Sequence, residues 1–102
     1  MIVCYARLRV DPRVREEFVE SCTRYQAASA AEAGCIFFHY SVDLLDPDLF
    51  YANELWETQD HLDAHERTEH YLVRRAEISG MGVQAELVTI VESGRVIEHA
   101  PR

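Results

Sequence analysis

Lysine is absent from the 102-residue chain, and all ten basic residues are arginine. With no lysine amine, the protein can form no lysine Schiff base and offers no anchor for pyridoxal phosphate. A GC-rich coding sequence would produce the same bias, because arginine codons are GC-rich. Basic charge is scarce altogether: 18 acidic residues outweigh the arginines, for a net charge of −8. A nucleic-acid binder needs a cationic face to neutralise phosphates, and binding to anionic membranes needs the same. Neither nucleic acid nor membrane is an expected partner. No apolar run reaches the ~20 residues of a transmembrane helix. Met1-Ile2-Val3-Cys4-Tyr5 lacks the basic region and small-residue cleavage site of a secretory signal, so a cytoplasmic location is expected. Cysteine is limited to Cys4, Cys22 and Cys35, an odd number with no CxxC pair. That argues against a disulfide framework or a four-cysteine zinc site, and the three read as small buried hydrophobes. No GxGxxG or P-loop supports a nucleotide cofactor. His61 and His65 stand four apart, as in a helical zinc pair, but with no HExxH and no evident third ligand no metal is expected.

What is present is a folding sequence, 48% hydrophobic, of one-domain length. Residues 2–10 alternate, with Ile2, Cys4, Ala6, Leu8 and Val10 on one face and Val3, Tyr5, Arg7 and Arg9 on the other, which is a strand. Asp11-Pro12 then opens a helix in which Val14, Phe18, Cys22 and Tyr25 fall at helical spacing. An alanine-rich stretch, Ala27 to Ala33, extends it to Gly34. Residues 35–43 and 49–57 read as an antiparallel strand pair around the turn Asp46-Pro47-Asp48. Thr58 suits the cap of a helix with His61, Leu62 and His65, continuing whole or broken through Tyr71, Leu72, Arg75 and Ile78 to Gly80 and Gly82. Residues 83–92 read as a fourth strand. The expected domain is 1–93, and 94–102 is a tail with room for a short strand at Val96-Ile97.

The order βαββαβ is that of a ferredoxin-like α+β fold: a four-stranded antiparallel sheet with helices on one face. Both faces of that sheet carry large apolar groups. In the second strand Cys35, Phe37 and His39 oppose Ile36, Phe38, Tyr40 and Val42. In the third, Phe50, Ala52, Glu54 and Trp56 oppose Tyr51, Asn53 and Leu55; in the fourth, Val83, Ala85, Leu87 and Val91 oppose Val88 and Ile90. Helices cover one face only, so a second copy is expected on the other, as a homodimer. The alternative is a scatter of single surface aromatics.

The stretch from Gly34 to Tyr71 resembles the antibiotic biosynthesis monooxygenases, also met as quinol monooxygenases. The residues that carry the likeness are Gly34-Cys35, Asp46-Pro47, Glu54-x-Trp56, Leu62-x-x-His65 and His70. The resemblance implies a dimeric α+β barrel with a pocket between sheet and helices in each subunit. It also implies oxidation of hydroquinones, anthrones or aromatic polyketides with O2, without metal, flavin or other cofactor. The haem-degrading branch carries an asparagine on the first strand, a helical tryptophan and an axial histidine. Here the first strand has no asparagine, and the other two positions fall at His65 and near Arg75, so haem degradation is disfavoured.

Such oxidation needs a general base near neutrality, a dry pocket and donors for developing negative charge. His65 and His70 are the candidate bases. Glu66 and Glu69 stand four residues from His70 and His65 and could orient them on a continuous helix, or simply form exposed pairs. Glu54 could act as a second acid/base or pair with Arg74 or Arg75. Trp56 could stack on an aromatic substrate or fill the core. Asn53 would reach a substrate only if a bulge turned it inward. His39 and Tyr71, with Tyr5, Tyr40 and Tyr51, complete the candidates for substrate contact. The expected activity is a cofactor-independent monooxygenase acting on a small aromatic and O2. A non-catalytic dimer binding a small aromatic and a cofactor-free isomerase are the alternatives.

Overall fold

The computed structural model describes residues 1–92. Strand β1 (Ile2–Arg9) leads through a 3-10 turn (Pro12–Val14) into helix α1 (Arg15–Ala30). Strands β2 (Cys35–Val42) and β3 (Leu49–Trp56) form a hairpin, followed by helices α2 (Gln59–His65) and α3 (Glu69–Met81) and strand β4 (Gln84–Glu92). The four strands form one antiparallel sheet in the order β2-β3-β1-β4, with the helices on one face. This is the ferredoxin-like arrangement expected. The expected tail and its strand at Val96-Ile97 lie outside the described residues. Among the described residues, no helix is long and apolar enough to cross a membrane.

The helix boundaries follow local chemistry. Asp11 accepts the Arg13 backbone N–H at 2.9 Å and pairs with its guanidinium, and Pro12 occupies the first turn. That turn is 3-10, so α1 begins at Arg15. It ends at Ala30, three residues short of the expected Ala33, because the chain must turn before β2. Gly34 makes that turn at φ +79°, and a Cβ there would lie 2.1 Å from His61 Cγ. Gly34→Ala combines left-handed backbone strain with this clash and is expected to destabilise by at least ~1–3 kcal/mol. An unchanged melting temperature would refute that requirement.

The core lies between sheet and helices, in two clusters. Ile2, Cys4, Tyr25, Phe38, Trp56 and Leu62 form one; Leu8, Val10, Phe18, Cys22 and Phe50 form the other. Strict alternation fails at two bulges. In β2 the register shifts between Cys35 and Phe37, so Cys35, opposite Trp56, faces the helices together with Phe38 and Tyr40. The expected grouping of Cys35 with Phe37 and His39 is thereby corrected; those two remain on the outer face, their rings stacked at 5.3 Å. In β4 the shift leaves Glu86 as the extra residue. Ala85, opposite Leu8, joins Val88 and Ile90 on the helix side, not Leu87 and Val91 as alternation suggested. Every residue of β4 is exposed in the single chain.

The helical region after β3 is broken, not continuous. Glu66 closes α2, and the Thr68 hydroxyl accepts the Tyr71 N–H to start α3 while donating to the His65 carbonyl at 2.7 Å. Four-residue spacing across this break therefore does not put Glu66 beside His70 or Glu69 beside His65 in helical fashion.

Candidate functional site

The two histidines are held by a residue from another element. Glu32 lies just past the end of α1, and its Oε2 contacts His65 Nδ1 at 2.6 Å and His70 Nε2 at 2.9 Å. The other nitrogen of His65, Nε2, lies 2.8 Å from the Tyr25 hydroxyl. A carboxylate can only accept, so both imidazoles donate to Glu32. His65 is then the Nδ1–H tautomer, and its Nε2 accepts the Tyr25 O–H. His65 is 1% exposed and both of its nitrogens are engaged. His70 differs: its side chain is 29% exposed, and its Nδ1 has no partner among the described residues.

Aromatic rings box His65 in. Trp56 lies 4.7 Å away between centroids, Tyr71 5.3 Å edge-on and Phe38 5.6 Å. Trp56 Nε1–H donates to Glu54 Oε1 at 3.0 Å, along the same face of β3. Burial pushes the Glu54 carboxyl up to about 7; the Trp56 bond opposes that shift, and the negative charges of Glu66 and Glu32 add to it. The ion pair with Arg74 or Arg75 considered for Glu54 does not form.

Arg74 instead lies inside, 4% exposed, between α1 and α3. It donates to the Ser21 hydroxyl at 2.5 Å and to Cys22 Sγ at 3.0 Å. Its guanidinium carbon sits 4.9 Å over Phe18, 5.4 Å over Tyr25 and 5.2 Å over Tyr40. No carboxylate pairs with it among the described residues. Burial nonetheless pushes the Cys22 thiol up to about 11, against the pull of Arg74, so this cysteine is not a poised nucleophile. Burial also holds Tyr25 and Tyr40 as neutral phenols, far above their ordinary range.

A cleft of about 390 Å³ opens between α1 and α3, lined by Ser21, Tyr25, Ala28, His70, Val73 and Arg74 among others. The Arg24–Glu77 ion pair, 2.8 Å, bridges the same two helices at its rim. His70, the Tyr25 ring and the Arg74 cation thus share one solvent-accessible space.

Residues 1–76 match the family model described as antibiotic biosynthesis monooxygenase. The chain belongs to that family. The matched span includes Tyr25, Glu32, Glu54, Trp56, His65, His70 and Arg74. No curated protein matches the chain. Among solved structures, a Deinococcus radiodurans protein assigned provisionally to the family superposes with a TM-score of 0.91 at 19% identity, over 99% of this chain and 100% of that one. A conserved Bacteroides thetaiotaomicron protein of unknown function gives 0.84 at 26% identity, over 90% and 96%. A Nitrosomonas europaea protein, also assigned provisionally to the family, gives 0.83 at 23%, over 93% and 100%.

Within this antibiotic biosynthesis monooxygenase domain, the candidates read from sequence separate into two groups. His65, His70, Trp56, Tyr71 and Glu54 gather on the helix side of the sheet. Asn53 and His39 are cross-strand neighbours on the outer face, and no bulge turns Asn53 inward. His61 is apart from the cluster, its Nδ1 2.8 Å from the Thr58 hydroxyl. Glu32 and Tyr25 were not singled out from sequence. Tyr25 hides within the periodic core face of α1. Glu32 did carry a signal: it is the lone charge in residues 27–33, at a helix C-terminal end where the dipole disfavours an acid.

Proposed function

We propose that the protein is a cofactor-independent monooxygenase that oxidises a hydroquinone, anthrone or polyketide-type phenol with O2. The observation that carries this reading is one carboxylate oxygen holding two imidazoles, one sealed in the core and one open to a cleft with an unpaired arginine. His70 is the base, taking the substrate proton at Nδ1 while Glu32 fixes its ring. His65 and Tyr25 position Glu32 from behind. Arg74 supplies counter-charge to the resulting phenolate or enolate. That anion gives one electron to O2, which overcomes the spin barrier to direct reaction. The radical pair combines into a hydroperoxide, and loss of water leaves the quinone; one oxygen atom enters the product and the other leaves as water. Glu54, near neutrality in its proton affinity, serves as a second acid/base, while Trp56, fully buried, and Tyr71 wall in His65 behind the cleft rather than lining it. Asn53 and His39 have no role here because they face away.

Oxygen uptake by metal-free protein with a panel of hydroquinones and anthrones tests this. His70→Ala is expected to abolish most of the rate. A rate no greater than the uncatalysed one, or one insensitive to His70, sinks the proposal. A product of unchanged mass, formed without oxygen uptake, would point to isomerisation.

The assembly proposed is a homodimer located in the cytoplasm. Support comes from the apolar surface of the single chain: Val3, Phe37, Leu87 and Val91 on the outer face, with Val88 and Ile90 also exposed. Sedimentation velocity is expected to give twice the 11.8 kDa chain mass; a monomer at micromolar concentration would contradict it.

A further inference from the structure

We propose that Glu32, His65 and His70 also form a three-ligand site for one divalent transition-metal ion of the zinc class, and that filling it switches off the base. The second half rests on the monooxygenase reading; the first does not. The ligand atoms, His65 Nδ1, His70 Nε2 and a Glu32 oxygen, all lie within 4.8 Å of one another. This is a His2Glu donor set, which suits zinc and leaves a fourth position for water or substrate.

The geometry is close to what an ion needs. With metal–ligand distances of about 2.0–2.1 Å, tetrahedral ligands sit about 3.3 Å apart. The Glu32 oxygen is now 2.6 Å from one nitrogen and 2.9 Å from the other, so it must back away by less than about 1 Å, and the two nitrogens, within 4.8 Å of each other, must close by up to about 1.5 Å. His70, in the first turn of α3 and partly exposed, can adjust, and the cleft beside it gives an entry path. The proton inventory balances: the two imidazole N–H bonds to Glu32 give way to metal–ligand bonds, and no proton leaves the site. Each neutral imidazole moves its N–H to the other ring nitrogen and presents a lone pair to the metal. His65 Nε2–H then donates to the Tyr25 oxygen, reversing the present bond and supplying the outer hydrogen bond that metal-bound histidines use. His70 Nδ1 becomes the protonated nitrogen, so it can no longer accept a proton from a substrate. The pair of histidines four apart in sequence, His61 and His65, is not the site.

The test is calorimetric titration of chelator-treated protein with zinc chloride, with cobalt(II) absorption as a check on coordination. The expected result is one ion per chain and intense tetrahedral cobalt bands. Glu32→Gln and His70→Asn are expected to lose both, and His61→Ala to keep them. Tyr25→Phe, which removes only the outer hydrogen bond, should weaken binding about 10–100-fold. No stoichiometric binding, or equal binding by wild type, Glu32→Gln and His70→Asn, overturns the site. One equivalent of zinc is expected to stop oxygen uptake. Binding without inhibition overturns the switch, whereas inactivity of the metal-free protein overturns the monooxygenase reading and leaves the titration to decide the site.

Discussion

Glu32→Ala is expected to lower the oxygen-uptake kcat by about 10²–10⁴-fold, the range that positioned acid–base catalysis contributes. The loss should match that of His70→Ala, although Glu32 touches no substrate in the proposed mechanism. The reason is the shared oxygen: removing it frees the exposed imidazole to rotate and strips the buried one of its acceptor. An orphaned His65 N–H also costs about 1–3 kcal/mol of stability, so melting curves must show a folded variant before rates are compared. The double variant Glu32→Ala/His70→Ala separates a relay from two independent contributors. A relay gives a double loss close to either single loss; independent groups multiply. A rate within threefold of wild type for Glu32→Ala would remove the relay from the mechanism.

A second large effect concerns stability and pH. Glu54 holds its proton to about pH 7 in the folded chain against an ordinary value of 4.5. Between those two values the unfolded state binds fewer protons than the folded one, so stability falls as pH rises. That difference corresponds to about 3 kcal/mol, present in full below pH 4.5 and lost as pH rises through about 7. Glu54→Gln keeps the shape and an acceptor for Trp56 Nε1–H but cannot ionise. Relative to wild type it should be about 3 kcal/mol more stable at pH 8 than the same comparison gives at pH 4.5. Denaturant titrations at both pH values, at one fixed protein concentration, measure this. A wild type and Gln variant that shift in parallel with pH would show that Glu54 ionises without penalty.

The fold was legible because its signals are local. The alternation of residues 2–10, the Asp11-Pro12 cap and the Asp46-Pro47 turn each act within a few residues, and the order of strands and helices is the one read, although α1 is shorter and the later helix is broken. The bulges were not legible: nothing in Cys35-Ile36-Phe37 or Ala85-Glu86-Leu87 marks an extra residue. The shift arises from matching a twisted strand to its neighbour. The site was half legible. His65, His70 and Trp56 stood out as residue types, but their partner Glu32 is 33 residues from His65, a distance only topology closes. The four-residue Glu–His spacings pointed to the wrong partners because Thr68 restarts the helix between them. Arg74 was considered as a salt-bridge donor; its setting among three aromatic rings depends on how α3 lies on α1.

The sheet order carries a consequence for the history of each molecule. Strand β1 is interior, flanked by β3 on one side and β4 on the other. During synthesis β3 becomes available after residue 56, but the other edge of β1 stays open until residues 84–92 emerge. For that interval a row of unpaired N–H and C=O groups, flanked by apolar side chains, invites pairing with another nascent chain. Contacts so distant in sequence also form slowly. A chain stopped before Gln84 should therefore aggregate, because of these four strands the first made is the last to be completed.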